Sequence, residues 1–138
     1  IRLDAWYFQC HFPDDPVQPG CLCVDAIWQL LGFYGVWRGA LGAGRALGSD
    51  AIEFNGQIRP HNRVVRFEID VVRFQHMKQN GSSLVVGDGV VSVDDQRVAT
   101  VKNARSGIFK GISDKHYPYT QPVGDRPDNS DRKESEIL

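Results

Sequence analysis

CLCVDAIWQLLGFYGVW, residues 21–37, is the stretch on which the fold turns. Apolar residues occupy it almost all the way round at helical spacing, and a helix without a wide polar face is expected to be buried on nearly every side. Asp25 is its only charged group, and Gln29 follows one helical turn later. Residues 19–37 form the one long apolar run of the chain, but placing Asp25 and Gln29 in lipid would be costly, so the run reads as a central helix inside a folded domain.

Just before the helix, HFPDDPVQPG at residues 11–20 carries three prolines and a glycine, which exclude a regular helix or central strand and predict an ordered loop. RLDAWYFQ, residues 2–9, is rich in aromatics and reads as a strand entering that loop. After the helix, RGALGAGRALG at 38–48 has four glycines. It follows a helix instead of linking a strand to one, so a phosphate-cradling loop gives way to a flexible connection. Segments near 49–58, 63–77, 83–93 and 96–109 have the β-branched and aromatic enrichment of strands. NGSS at 80–83 and DDQ at 94–96 supply turns, and three of these segments are expected to form an antiparallel meander.

One long helix wrapped by one antiparallel sheet is the economical α+β solution. A chain of 138 residues with 41% apolar content suffices for one core. The domain is expected to span 1–113, with room for further residues ahead of Ile1, and 114–138 is expected to be a flexible polar tail. The net charge of −1 provides no global field for nucleic acid or anionic membrane, so neither is an expected partner. Cys10, Cys21 and Cys23 are odd in number and crowded together, which points to a reducing cytoplasm and not to a disulfide framework. Cys21 and Cys23 are too close for a zinc knuckle and no second pair follows, so no metal is expected.

CHFPDDPVQPGCLCVDAIWQLLGFY, residues 10–34, resembles the active-site segment of the bacterial 3-hydroxydecanoyl-[acyl carrier protein] dehydratase family. GRALG at 44–48, FNGQIRP at 54–60, the meander and SGIF at 106–109 follow in the family's order, so the resemblance covers roughly residues 3–112. It implies a hot-dog fold and dehydration of a (3R)-hydroxyacyl thioester on acyl carrier protein to the trans-2-enoyl thioester, in fatty acid biosynthesis and with no cofactor. Aspartate at position 25, where relatives that only dehydrate have glutamate, also implies isomerisation of trans-2 to cis-3. Gln18 stands where relatives commonly have methionine and Cys23 where they commonly have glycine, and both changes bear on the shape of the acyl tunnel that hot-dog families run beside the helix.

The chemistry needs a base for the C2 proton, an acid for the departing hydroxyl and donors for the thioester carbonyl. Histidine is the one side-chain type in the motif that ordinarily titrates near neutrality, and a proline-rich loop can hold His11 in one orientation. Asp25 is the candidate acid: inside an apolar helix an unpaired carboxylate is costly to ionise, and the alternative is a structural pair with Arg45. Gly20 and Cys21 fall at the start of the helix, where backbone N–H groups lack intrahelical partners and can face an acyl carbonyl. Gln29 is placed to orient Asp25 or to make a plain core hydrogen bond.

His61, His76 and His116 have no such context, and Trp28, Phe33 and Tyr34 read as core or as substrate wall. Two rivals remain: a hot-dog thioesterase, against which the His11 loop argues, and a noncatalytic acyl-binding domain of a larger synthase. The family resemblance also implies a homodimer with shared active sites, His11 of one chain working with Asp25 of the other. For docking of the acidic carrier protein the candidates are Arg66, Arg73, Lys78 and Lys102.

Overall fold

The computed structural model describes residues 1–112; the expected tail at 114–138, with His116, lies outside the described residues. The one long helix, α1, spans Gly20–Trp37, and five strands follow: β1 (Ala43–Gly48), β2 (Ala51–Phe54), β3 (Val65–Met77), β4 (Ser82–Val93) and β5 (Gln96–Phe109). All pairings are antiparallel, in the order β1-β5-β4-β3, and β2 pairs with β5 beside β1. The β3-β4-β5 meander is as expected. Asp94 and Asp95, both with positive φ, turn β4 into β5 and leave Val93 opposite Gln96. The whole is an α+β hot-dog fold, one long helix packed against an antiparallel sheet.

The helix begins where Pro19 ends the loop and stops in a Schellman cap. Gly39, at φ 93°, lets its own N–H reach Val36 O at 2.9 Å and the Ala40 N–H reach Gly35 O at 3.0 Å. Cys23, Val24, Ile27, Leu31 and Gly35 make the buried stripe. Ile27 and Leu31, fully buried, face a floor of Val85, Val91, Ala99, Val101 and Ala104, each contributing about 1.5–3 kcal/mol by burial. Close seating depends on Gly89 of β4: a Cβ there would stand 2.5 Å from Ile27 Cγ2.

Three expectations are corrected. Residues 2–9 do not form a strand: Trp6–Gln9 is a 3₁₀ helix closed by Phe8 N–H to Ala5 O at 3.1 Å, followed by His11 N–H to Tyr7 O at 2.8 Å. The aromatic residues pack edge to face on one another instead of joining a ladder, with ring centroids 5.6 Å apart for Trp6–Tyr7 and 4.7 Å for Tyr7–Phe8. The glycine-rich connection is ordered in its second half as β1, because β5 is long enough to offer β1 and β2 an edge and its main-chain ladder outweighs weak local propensity.

The third correction concerns α1, which is not buried all round. A single sheet covers one face, and Phe33, Val36 and Trp37 stay 72%, 55% and 71% exposed in the single chain. By length and composition α1 could cross a membrane, but its inner stripe is packed against the sheet.

Candidate active site

His11 sits in a loop that is tied to itself and to its neighbours. Val17 N–H donates to His11 O at 2.8 Å, and Phe12 and Asp15 exchange backbone hydrogen bonds, each 3.1 Å. Arg59 pairs with Asp15, and Gln18 N–H donates to Ile58 O at 2.9 Å, so the segment around Ile58 holds the loop from outside. The His11–Phe12 peptide is cis. The imidazole stacks on Phe12, with centroids 4.2 Å apart, and its Nδ1 lies 3.0 Å from Val17 O. A carbonyl can only accept, so this contact assigns the proton to Nδ1 and leaves the Nε2 lone pair free to accept another.

A cleft of about 920 Å³ opens at this histidine and takes in Gly20, Cys21 and Phe54, with Cys23 and Ile58 on its buried floor. Neither Gly20 nor Cys21 has an intrahelical carbonyl for its N–H; the first such bond runs from Leu22 N–H to Pro19 O at 3.0 Å. The macrodipole places partial positive charge at the same end of α1. The Phe54 ring covers Gly20 so closely that a Cβ there would come within 2.6 Å of Cε1.

Gln18 is clamped at both ends of its carboxamide. Tyr7 Oη donates to Oε1 at 3.1 Å, and Nε2 donates to Cys23 Sγ at 3.5 Å. Burial pushes the Cys23 thiol up, only partly opposed by that hydrogen bond, and burial likewise raises the Tyr7 hydroxyl.

Asp25 and Gln29 lie elsewhere on the same helix. Gln29 Nε2 donates to Asp25 Oδ2, as the orienting alternative expects. Both residues are exposed in the single chain, which corrects the expected burial of Asp25: the sheet covers the opposite face of α1. The structural pair with Arg45 is absent, since the Arg45 guanidinium donates to Gly44 O at 2.7 Å. Asp25 and Gln29 instead head a second groove, about 420 Å³, between α1 and the β1–β5 pair. Trp28, Gly32, Phe33 and Val36 line it from the helix, and Ser106 and Ile108 from β5.

The predicted residues thus fall into two groups in one chain. His11, Gly20 and Cys21 share the first cleft, and Asp25 and Gln29 share the second. Sequence reasoning missed Phe54, Gln57 and Ile58, which reach the first cleft from far along the chain, and Ser106 in the second. The only signal for them was FNGQIRP and SGIF recurring in the family's order.

Among the carrier-docking candidates, Arg66 pairs with Asp95 at 3.5 Å and Lys102 with Asp88 at 2.7 Å, while Arg73 and Lys78 have no carboxylate within ion-pair distance among the described residues. The sequence model of the FabA-like domain matches residues 1–102, most of the chain. With the helix, the sheet and the histidine loop in that order, the chain belongs to the FabA-like domain family, hot-dog dehydratases and isomerases of fatty acid biosynthesis.

Proposed function

We propose that this chain dehydrates a (3R)-hydroxyacyl thioester carried on acyl carrier protein, and that two copies build each active site. The observation that carries the reading is His11: its Nδ1 is engaged by Val17 O at 3.0 Å, and its ring shares a cleft with the free N–H groups of Gly20 and Cys21. His11 Nε2 takes the proton from C2, and that electron pair forms the C2–C3 double bond. The C3–O bond breaks, and Asp25 protonates the departing hydroxyl so that water leaves. The Gly20 and Cys21 N–H groups hold the thioester oxygen while negative charge builds on it. Proton return from His11 to Asp25 resets the site.

A second chain enters the proposal because His11, Gly20 and Cys21 line one cleft of the single chain while Asp25 and Gln29 line another. Two unpartnered surfaces suit its arrival. All four residues of β2 are exposed, with Ile52 at 39% and Phe54 at 55%, so an open strand edge is available for pairing. The apolar outer face of α1 is uncovered as well. The groove below Asp25 is assigned the acyl chain.

Aspartate at position 25 extends the proposal to isomerisation of the trans-2 product to cis-3, in which a C4 proton leaves and C2 gains one. The reaction is placed in the cytoplasm, where the free thiols of Cys10, Cys21 and Cys23 would persist.

Product analysis with a 3-hydroxydecanoyl thioester tests the reading. Loss of water with the thioester intact is expected. Release of free thiol without enoyl product would make the chain a thioesterase, and binding without turnover would make it an acyl-binding domain; either overturns the proposal.

A further inference from the structure

The hydrogen bonds of Gln18 each go to a different part of the chain. Its main-chain N–H donates to Ile58 O at 2.9 Å, Tyr7 Oη donates to its Oε1 at 3.1 Å, and its Nε2 donates to Cys23 Sγ at 3.5 Å. Tyr7 belongs to the 3₁₀ turn ahead of the histidine loop, Ile58 to the segment after β2, and Cys23 to the first turn of α1. Among the described residues, the bond to Cys23 is the only hydrogen bond that runs from residues 1–18 to α1.

Both ends of this bridge lead to the site. The carbonyl of Tyr7 accepts from His11 N–H at 2.8 Å, so the residue whose hydroxyl grips Gln18 also grips the histidine backbone. Val17, the neighbour of Gln18, faces the imidazole Nδ1 with its carbonyl. Cys23 lies in the same helical turn as Gly20 and Cys21, whose N–H groups open on the cleft. The hydrogen-bonded ring of His11 and Val17 closes within the loop, whereas the Gln18 carboxamide carries the loop across to the helix. Cys23 is buried and Gln18 half-buried, so water competes poorly for the bridge. Burial raises both the Cys23 thiol and the Tyr7 hydroxyl, which keeps the two partners protonated and the bridge uncharged around neutrality.

We propose that Gln18 is a positioning residue: its carboxamide, strung between Tyr7 Oη and Cys23 Sγ, sets where the His11 imidazole stands relative to the N–H groups of Gly20 and Cys21. The inference rests on the dehydratase reading above, in which the base and the donors address C2 and the thioester oxygen of one substrate. Gln18 itself touches no reacting atom. Misplacement of a catalytic group by about 1 Å can cost on the order of a hundredfold in rate, and a tether cut at one end costs a fraction of that.

The test uses full-length Gln18→Leu, which keeps similar bulk but makes no side-chain hydrogen bond, Tyr7→Phe, which cuts the bridge at its other end, and the double variant, with folding checked by thermal melting. On a 3-hydroxydecanoyl thioester, kcat should fall by about fivefold to twentyfold in Gln18→Leu and by about threefold or more in Tyr7→Phe, with KM within about twofold of the parent, because the aim of the base is lost and the binding surface is not. The double variant should match Gln18→Leu within about twofold, since a bridge already cut cannot be cut again. Backbone hydrogen exchange reads the same tether without turnover. In Gln18→Leu the His11 and Val17 amides should exchange about tenfold faster or more, while those of Ile27 and Leu31 keep the parent rate. A merely structural role would speed exchange in loop and core together and multiply the two losses. Parent kcat in folded Gln18→Leu, parent exchange at His11 and Val17, or multiplied losses in the double variant overturns the proposal; if Gln18→Leu fails to fold, Tyr7→Phe carries the same two measurements. If the parent dehydrates no thioester, the dehydratase reading itself fails, and exchange still decides whether Gln18 holds the histidine loop.

Discussion

The imidazole Nδ1 of His11 lies 3.0 Å from the carbonyl oxygen of Val17, six residues along the same loop. The reverse connection is made by the main chain, Val17 N–H donating to His11 O at 2.8 Å. Histidine and valine thus hold each other in a closed ring of backbone and side chain. Such a ring fixes the tautomer and the aim of the imidazole before any substrate arrives, so little reorganisation is left for the moment of reaction.

Replacement of His11 by alanine should reduce dehydration to below about one tenth of the parent rate, with the loss in kcat. The side chain is only half-buried and contributes nothing to the packed stripe of α1, so the melting temperature should hold. Turnover above that level, in protein shown to be folded, would remove His11 as the base.

Gly89→Ala should be costly where Gly44→Ala is not. The new methyl group at 89 would lie 2.5 Å from Ile27 Cγ2, at the centre of the helix–sheet contact, whereas nothing lies within 4 Å of the corresponding position at 44. Overpacking of this kind costs about 1–3 kcal/mol; an open surface position changes stability by about 0.5 kcal/mol or less. Denaturant titration of both variants measures the difference, and equal stabilities would mean that the helix is not seated on β4 as described.

Most of this architecture is legible in the sequence, and the exceptions share a physical reason. The proline-rich loop, the apolar run of α1 and the Asp94–Asp95 turn announce themselves through local chemistry. β1 does not, because Gly44 and Gly48 argue against a strand and only the unfilled edge of β5 makes one. The exposure of Asp25 was equally hidden: a uniformly apolar helix does not reveal which half the sheet will cover. His11, Gly20 and Cys21 are close in sequence and meet in one cleft, whereas Phe54 and Ile58 arrive there only through tertiary packing.

Acid should unfold the protein partly through Asp94. Its carboxylate accepts from Val64 N–H at 2.9 Å, Arg63 N–H at 3.1 Å and Asn62 Nδ2 at 3.0 Å, and these donors hold it below the ordinary value of 3.8. A lowered folded-state value means that the stabilisation is complete above 3.8 and is lost as pH falls through the depressed value. Asp94→Asn, which tolerates the same positive φ, should be less stable than the parent at neutral pH. The gap should close in acid. A gap independent of pH would show that the carboxylate charge is not what holds the turn.

Carrier-protein docking should depend on the candidate cations that have no carboxylate partner among the described residues. Arg73→Glu or Lys78→Glu is expected to raise KM for the carrier-bound substrate and leave a small thioester analogue unaffected. Reversal of Arg66 or Lys102 would in addition disturb the pairs with Asp95 and Asp88. Equal effects on both substrates would remove Arg73 and Lys78 from the docking surface.

Catalysis should require two chains if His11 and Asp25 are the base and the acid. His11 stands ahead of the N-terminus of α1, in a loop fastened to Ile58 and Arg59, and opens into a cleft floored by Cys23 and Ile58. Asp25 is on the same helix but belongs to the other groove, walled by β1 and β5, and no residue is common to the two. A substrate that needs a base at C2 and an acid at the adjacent carbon must have both within hydrogen-bond reach. A second copy supplying Asp25 to the His11 cleft satisfies this requirement, and symmetry makes a second identical site at the same time. Mixing inactive His11→Ala chains with inactive Asp25→Asn chains, under conditions that exchange subunits, should therefore restore activity. Equal mixing makes about half of the dimers mixed, each with one intact site of two, so recovery should reach roughly a quarter of parent activity. No recovery, with exchange verified by mass spectrometry of tagged subunits, would mean that both residues act within a single chain.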